Sequence, residues 1–153
     1  MARGQDLPQF YLLVVEDNLA DIRLIQEALN IKNTTWIDII AATDGQMALE
    51  ILTKQGIYTD APTPNLVLLD LNMPKLSGLE LLKKIKSNVR LKNIPVVVFT
   101  SSRSHIDIEA SYNLQANAYV VKPSDIDTFL EVVNSIQYFW MRFAEITPHQ
   151  IDL

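Results

Sequence analysis

The sequence predicts a doubly wound α/β domain built on a five-stranded parallel sheet, and three observations carry that expectation. Five short runs, at 12–15, 37–42, 66–69, 96–99 and 118–121, are rich in Val, Ile and Leu and barely alternate with polar residues, as strands covered on both faces do. Their ends lie 22 to 30 residues apart, which is room for one helix between each pair. Amphipathic stretches fill those gaps. Right-handed crossovers between parallel strands then distribute the helices over both faces.

Taken in order, the elements have local signals of their own. After the first strand, Asn18 is placed to start a helix spaced by Ile22, Ile25 and Leu29. The second helix holds Met47, Ile51 and Leu52 behind an Asp44 cap and Gly45. The segment 56–64, with Pro62 and Pro64, reads as an extended loop before the third strand. Ser77 caps a third helix in which Leu79, Leu82 and Ile85 recur, and 103–113 forms a fourth, weakly amphipathic one. The fifth is expected from Ser124, after Pro123, to Ile146. At 1.5 Å per residue that is roughly 34 Å, against roughly 17 Å for a five-residue strand, so its last turns should overhang the sheet.

Composition bounds the function. A 153-residue chain that is 48% hydrophobic suits one compact domain, here taken as 1–153 with a core of about 10–136, a helical extension of about 137–146 and a tail of 147–153. A net charge of −5 argues against nucleic acid as a partner, because phosphate backbones are met by basic faces. Cysteine is absent, which excludes a disulfide framework and thiolate chemistry. With two histidines, His105 and His149, a histidine-rich metal cluster is excluded too. The N-terminal ten residues have no apolar signal core, and no run approaches the roughly 18 apolar residues of a membrane span, so a cytoplasmic location with no membrane partner is expected.

The chemistry lies at the residues directly after the strands. The first strand runs into Glu16-Asp17, the third into Asp70, the fourth into Thr100 and the fifth into Lys122. In open parallel sheets ligands bind outside the carboxyl ends of the strands, so this order gathers three carboxylates, a hydroxyl and an ammonium at one rim. Crowded carboxylates repel unless a cation joins them, and magnesium, which takes hard oxygen ligands, is the natural guest. Lys122 and Thr100 are then placed to bind the oxygens of an arriving phosphoryl group. Taken singly, each residue has an ordinary explanation: a helix cap at Asp17-Asn18 or Thr100-Ser101-Ser102, an exposed turn lysine at Lys122, a core ring at Tyr119. Four coincidences at the same end of four strands outweigh those explanations.

Val14-Val15-Glu16-Asp17-Asn18, Leu68-Leu69-Asp70-Leu71-Asn72-Met73-Pro74, Val98-Phe99-Thr100-Ser101 and Tyr119-Val120-Val121-Lys122-Pro123 resemble the receiver domains of bacterial two-component response regulators, over about 10–136. The Ala61-Pro62-Thr63-Pro64-Asn65 loop is similar to that of stand-alone receivers paired with phytochrome-type histidine kinases. The resemblance implies the flavodoxin-like strand order 2-1-3-4-5. It implies Asp70 as phosphoacceptor, with magnesium held by the side chains of Asp17 and Asp70, the backbone carbonyl of Asn72 and, through water, Glu16. Lys122 would pair with a phosphoryl oxygen, aimed by a cis peptide before Pro123. Thr100 would move to the phosphate and Tyr119 would turn inward behind it. Two departures stand out. Gln115 replaces a frequent Gly, so its turn should avoid positive φ. Lys75 replaces an acidic or small residue, which bears on phosphoryl lifetime or kinase recognition.

Competing readings on this fold are weaker. An aspartyl-phosphate phosphatase needs a second carboxylic acid two residues after the nucleophile, and Asn72 cannot donate that proton. A flavodoxin-type phosphate loop would be repelled by Glu16-Asp17, and no Gly-rich Gly-Lys-Ser/Thr stretch exists. A degenerate receiver acting only as a protein-binding module would usually have lost the acceptor or the lysine. The expected partners are a sensor histidine kinase and a second copy of the chain, through the fourth helix, fifth strand and fifth helix. In that dimer Trp140, Phe143 and Phe139 would cover an apolar overhang.

Overall fold

The computed structural model describes residues 9–30 and 37–147. The elements come in the order β1 (Phe10–Val15), α1 (Leu19–Asn30), β2 (Ile37–Ala42), α2 (Gly45–Leu52), β3 (Leu66–Leu69), α3 (Gly78–Ser87), β4 (Val96–Thr100), α4 (His105–Asn113), β5 (Ala118–Val121) and α5 (Ile126–Tyr138). All strands are parallel and their order is β2-β1-β3-β4-β5. The expected architecture and strand order are therefore found.

Alternation along the strands builds two cores. Leu13, Val15, Val67, Leu69, Val96 and Val98 face one layer with Ile51, Leu81, Leu82 and Ile85 of α2 and α3. Leu12, Val14, Leu66, Leu68, Val97 and Phe99 face the other with Ile25, Leu29, Phe129 and Val133 of α1 and α5. Both faces of the central strands are apolar because both are covered. Residues Val15, Ala42 and Leu69 end their strands in register, so the next residues of all three strands emerge side by side.

The caps Asp44 and Ser77 are as expected: their side chains accept from the backbone N–H of Met47 at 2.7 Å and of Glu80 at 3.2 Å. The cap of α4 is Ser104, and α5 is capped by Asp125 rather than begun at Ser124. The turn at Gln115 is a second correction, for its φ is +72°. The N–H groups of Gln115 and Ala116 return to the carbonyls of Tyr112 and Ser111, closing α4 with a left-handed residue. That hydrogen-bonded closure dictates φ whether or not the residue is Gly.

The C-terminal overhang also differs from expectation. α5 ends at Tyr138 and passes into a π-helical turn, Phe139–Phe143, closed by Ala144 N–H on the Phe139 carbonyl at 2.8 Å. The wider turn inserts a residue per i→i+5 bond and rotates the later side chains. Trp140, expected on the exposed patch, is half-buried against the α1–α5 core together with Met141 and Ile146. Tyr138, Phe139 and Phe143 remain exposed, at 49%, 51% and 66%.

One lysine is structural. Lys86 Nζ donates to the carbonyls of Lys92 (3.1 Å) and Ile94 (2.9 Å) and to Asn117 Oδ1 (3.1 Å), stapling the α3–β4 loop to the turn before β5. Burial lowers the pKa of its ammonium.

Candidate functional site

The sheet's hydrogen bonding continues one residue past the strands and thereby fixes the site. Glu16 N–H donates to Ala42 O at 2.9 Å, Asp70 N–H to Val15 O at 3.0 Å, and Lys122 N–H to Thr100 O at 2.8 Å. Glu16, Asp70 and Thr100 are buried, at 2%, 7% and 0% exposure, while Asp17 faces solvent.

Carboxylate oxygens of Glu16, Asp17 and Asp70 lie within 4.8 Å of one another. Lys122 reaches over this group: its Nζ donates to Glu16 Oε1, donates to Asp21 Oδ2 at 2.8 Å, and sits 3.5 Å from Asp70 Oδ2. The second oxygen of Glu16 accepts from Asn18 N–H at 3.2 Å, and Asp70 Oδ1 accepts from Leu71 N–H at 2.8 Å. Burial raises the Glu16 carboxyl to about 7, the Lys122 hydrogen bond pulling it back and Asp70 pushing it up. Burial alone would lower the Lys122 ammonium, but its bonds to Asp21 and Glu16 outweigh this and raise it.

The donor set fits a small divalent cation. Carboxylate oxygens of Glu16, Asp17 and Asp70 converge with Lys122 as the neighbouring ammonium, an acidic set of hard oxygen ligands at a half-open rim, and a cation with water in its coordination shell suits it. Asn72 is exposed on the loop after β3.

The remaining expectations divide. Thr100 Oγ1 accepts weakly from Ser102 N–H, at 3.4 Å. The Tyr119 ring already packs half-buried on the α2–α3 core, and its hydroxyl donates to Ser102 O at 2.9 Å. Among the described residues no cis peptide occurs, so Lys122–Pro123 is trans, against the expectation carried by the resemblance. The carboxylates around Lys122, rather than a cis bond, hold its side chain on target. Lys75 adopts φ +66° and pairs with Asp44 at 3.5 Å, tying the β3–α3 loop to α2. Asp21 escaped sequence reasoning. It stands in the first turn of α1 between Ala20 and Ile22, where an acid is ordinary at a helix start, and its one signal is the N-terminal position that aims it back toward the rim.

An acidic, lysine-bearing rim on a 2-1-3-4-5 sheet belongs to the phosphoryl-accepting class of doubly wound proteins, not to the flavin or nucleotide binders that share their layers. This chain is a member of the response regulator receiver domain family, whose model matches residues 12–134. It is 45% identical over 136 residues to the response regulator Rcp1 of Synechocystis, an alignment covering 88% of this chain and 90% of that protein. Among solved structures, the phosphorylated cyanobacterial phytochrome response regulator RcpA superposes with a TM-score of 0.88 at 42% identity, covering 92% of this chain and 99% of that one. The Mn(2+)-bound form of Rcp1 gives 0.86 at 42% identity, covering 91% and 99%. No described helix is long and apolar enough to cross a membrane.

Proposed function

We propose that this chain is a magnesium-dependent phosphoacceptor that takes a phosphoryl group from a sensor histidine kinase, of the phytochrome type, onto Asp70 and passes the signal on by protein contact. The observation that carries the reading is a buried Asp70 that shares a converging carboxylate group with Glu16 and Asp17 and lies 3.5 Å from the Lys122 ammonium. Glu16, Asp17 and Asp70, with the Asn72 carbonyl, would hold magnesium, which when bound offsets the repulsion between these carboxylates and an anionic donor. An Asp70 carboxylate oxygen attacks the phosphorus, and the bond from phosphorus to the donor imidazole nitrogen breaks, its electron pair returning to the imidazole. The product is an aspartyl phosphate. Lys122 pairs with a phosphoryl oxygen as it arrives.

Support comes from the relatives: RcpA is described as phosphorylated and as a phytochrome response regulator, and Rcp1 as binding manganese. Exposed Leu19 and Ile126, at the starts of α1 and α5 and so on the same carboxyl rim as the site, suit a protein donor rather than a free metabolite. The intact mass of the chain, taken before and after a small phosphodonor, tests the reading. One phosphoryl group is expected per chain with magnesium present, and uptake that continues unchanged in excess chelator would overturn it.

Thr100 is the switch. Among the described residues its hydroxyl has only the long contact with Ser102 N–H to lose, and a phosphoryl oxygen offers a charge-assisted bond in exchange. Ser102 also accepts from Tyr119 through its carbonyl, so a movement of Thr100 reaches β5 and α4. Thr100→Ala is expected to be phosphorylated normally, while the chemical-shift changes that activation produces in α4 and β5 shrink severalfold. Full-sized changes in that variant would remove Thr100 from the coupling.

A second copy of the chain is the partner proposed for the α4–β5–α5 face. With Trp140 turned inward, the covering falls to Phe139 and Phe143, beside Tyr138, whose ring meets Phe143 edge-on at 5.1 Å. Phe143→Glu should move the sedimentation profile toward monomer and leave phosphorylation intact. If the unaltered chain is already monomeric at high micromolar concentration with and without phosphorylation, these aromatics have another use.

A further inference from the structure

The three carboxylates that meet Lys122 are not equivalent. Glu16 and Asp70 also belong to the group whose oxygens converge within 4.8 Å, and Asp21 does not. A cation held by that group competes with Lys122 for Glu16 and Asp70 and repels its ammonium. Asp21 stands outside the competition. It projects from the first turn of α1, where its own N–H is fixed by Asn18 Oδ1 at 3.2 Å, and its carboxylate meets Lys122 Nζ at 2.8 Å.

We propose that Asp21 is a positioning residue for phosphoryl capture, the dedicated counter-ion that keeps Lys122 beside Asp70 once Glu16 and Asp70 are engaged elsewhere. The proposal rests on the reading of Asp70 as the acceptor. A lysine ammonium has three hydrogens to donate. Asp21, which lies outside the converging carboxylate group, occupies one, and the others remain for phosphoryl oxygens. Without Asp21 the flexible four-carbon stem recovers its rotamers, and capture must order it again.

The sign of the effect separates this role from a general charge effect. Removing a carboxylate near an anion site ordinarily strengthens anion binding, because a repulsion is lost. Positioning through Lys122 predicts the reverse. Calorimetric titration with magnesium and beryllofluoride, in wild type, Asp21→Asn, Lys122→Met and the double variant, reads the difference. Asp21→Asn is expected to weaken beryllofluoride binding about 5- to 10-fold, the scale of exchanging a charged for a neutral acceptor of the Lys122 ammonium. Its affinity for magnesium alone should stay within about 3-fold of wild type, since Asp21 contributes only a screened charge there. In the Lys122→Met background the substitution should add little, as expected of two residues acting through one contact. Beryllofluoride binding that is unchanged or tighter in Asp21→Asn, or an equal loss in both Lys122 backgrounds, overturns the proposal. Wild-type chain that binds no beryllofluoride would overturn the acceptor reading, and the inference with it. Since Lys122→Met strips the carboxylates of their ammonium and can fail to fold, a crystal structure of wild type with magnesium and beryllofluoride decides independently. Lys122 Nζ still within hydrogen-bond distance of Asp21 supports the role, and Nζ withdrawn from it overturns it.

Discussion

Asp70→Asn is expected to take up no phosphoryl group from a small phosphodonor under conditions in which the wild-type chain, with magnesium, gains one. The amide keeps the shape of the side chain, and its oxygen can still accept from Leu71 N–H as Asp70 Oδ1 does at 2.8 Å. Loss of labelling would therefore reflect lost nucleophilicity and not a collapsed site. The variant should also be at least as stable as wild type without metal. Asp70 and Glu16 are buried neighbours, and the repulsion that helps raise the Glu16 carboxyl disappears with the Asp70 charge. Asp17→Asn makes the contrast. Asp17 is exposed and belongs to the carboxylate group without touching Lys122, so its loss should raise the magnesium requirement and leave labelling attainable at saturating metal. Intact mass across a magnesium series reads both variants at once. Labelling of Asp70→Asn at the wild-type level would move the acceptor elsewhere.

Gly78→Ala is expected to disturb the site from behind. A Cβ on Gly78 would stand 2.3 Å from the Asp70 carbonyl oxygen and 2.6 Å from the Leu71 Cα, both backbone atoms with no rotamer to yield. The Gly78 N–H meanwhile donates to Leu71 O at 3.0 Å, drawing the start of α3 onto the end of β3. A methyl group there must push α3 away or move the residue that carries the acceptor. Overpacking of this kind costs roughly 1–3 kcal/mol, and more where backbone must shift. Urea unfolding should therefore show a lower midpoint, with phosphorylation slowed in the fraction that remains folded. A midpoint equal to wild type would mean that the β3–α3 loop absorbs the methyl group at no cost. Gly45 makes a matching approach, its hypothetical Cβ lying 2.0 Å from Leu76 O. The loop that carries Asn72 is thus held from both sides by contacts only glycine permits.

Much of this molecule was legible in one dimension because the signals are local. Unbroken apolar runs mark strands buried on two faces, helix caps mark where helices begin, and the residue after a strand's last position must stand at the carboxyl rim. Glu16, Asp70 and Lys122 are placed by that rule, Thr100 closes its strand one residue short of it, and the cap residues Asp44 and Ser77 follow theirs. Local signals cannot report the distance between elements. The Gly78 and Gly45 contacts exist because helices pack onto a particular strand end and a particular loop, and nothing in the flanking sequence measures that approach. Gln115 takes a left-handed conformation because the hydrogen bonds closing α4 demand it, overriding the preference of its own side chain. Trp140 was expected outside on a straight helix. It is half-buried instead because it continues the Phe129, Val133 and Ile136 stripe, and the α1–α5 layer extends far enough to offer it apolar contacts. Asp21 is the sharpest case: alone it is one more acid near a helix start, and only packing across more than a hundred residues of chain sets it against Lys122. Position along a strand is a local count, and for that reason the order of residues along the chain was enough to say which side chains reach the rim. A contact depends instead on how two distant helices and strands are packed, so which of those side chains touch, and which acid holds the lysine, emerged only in three dimensions.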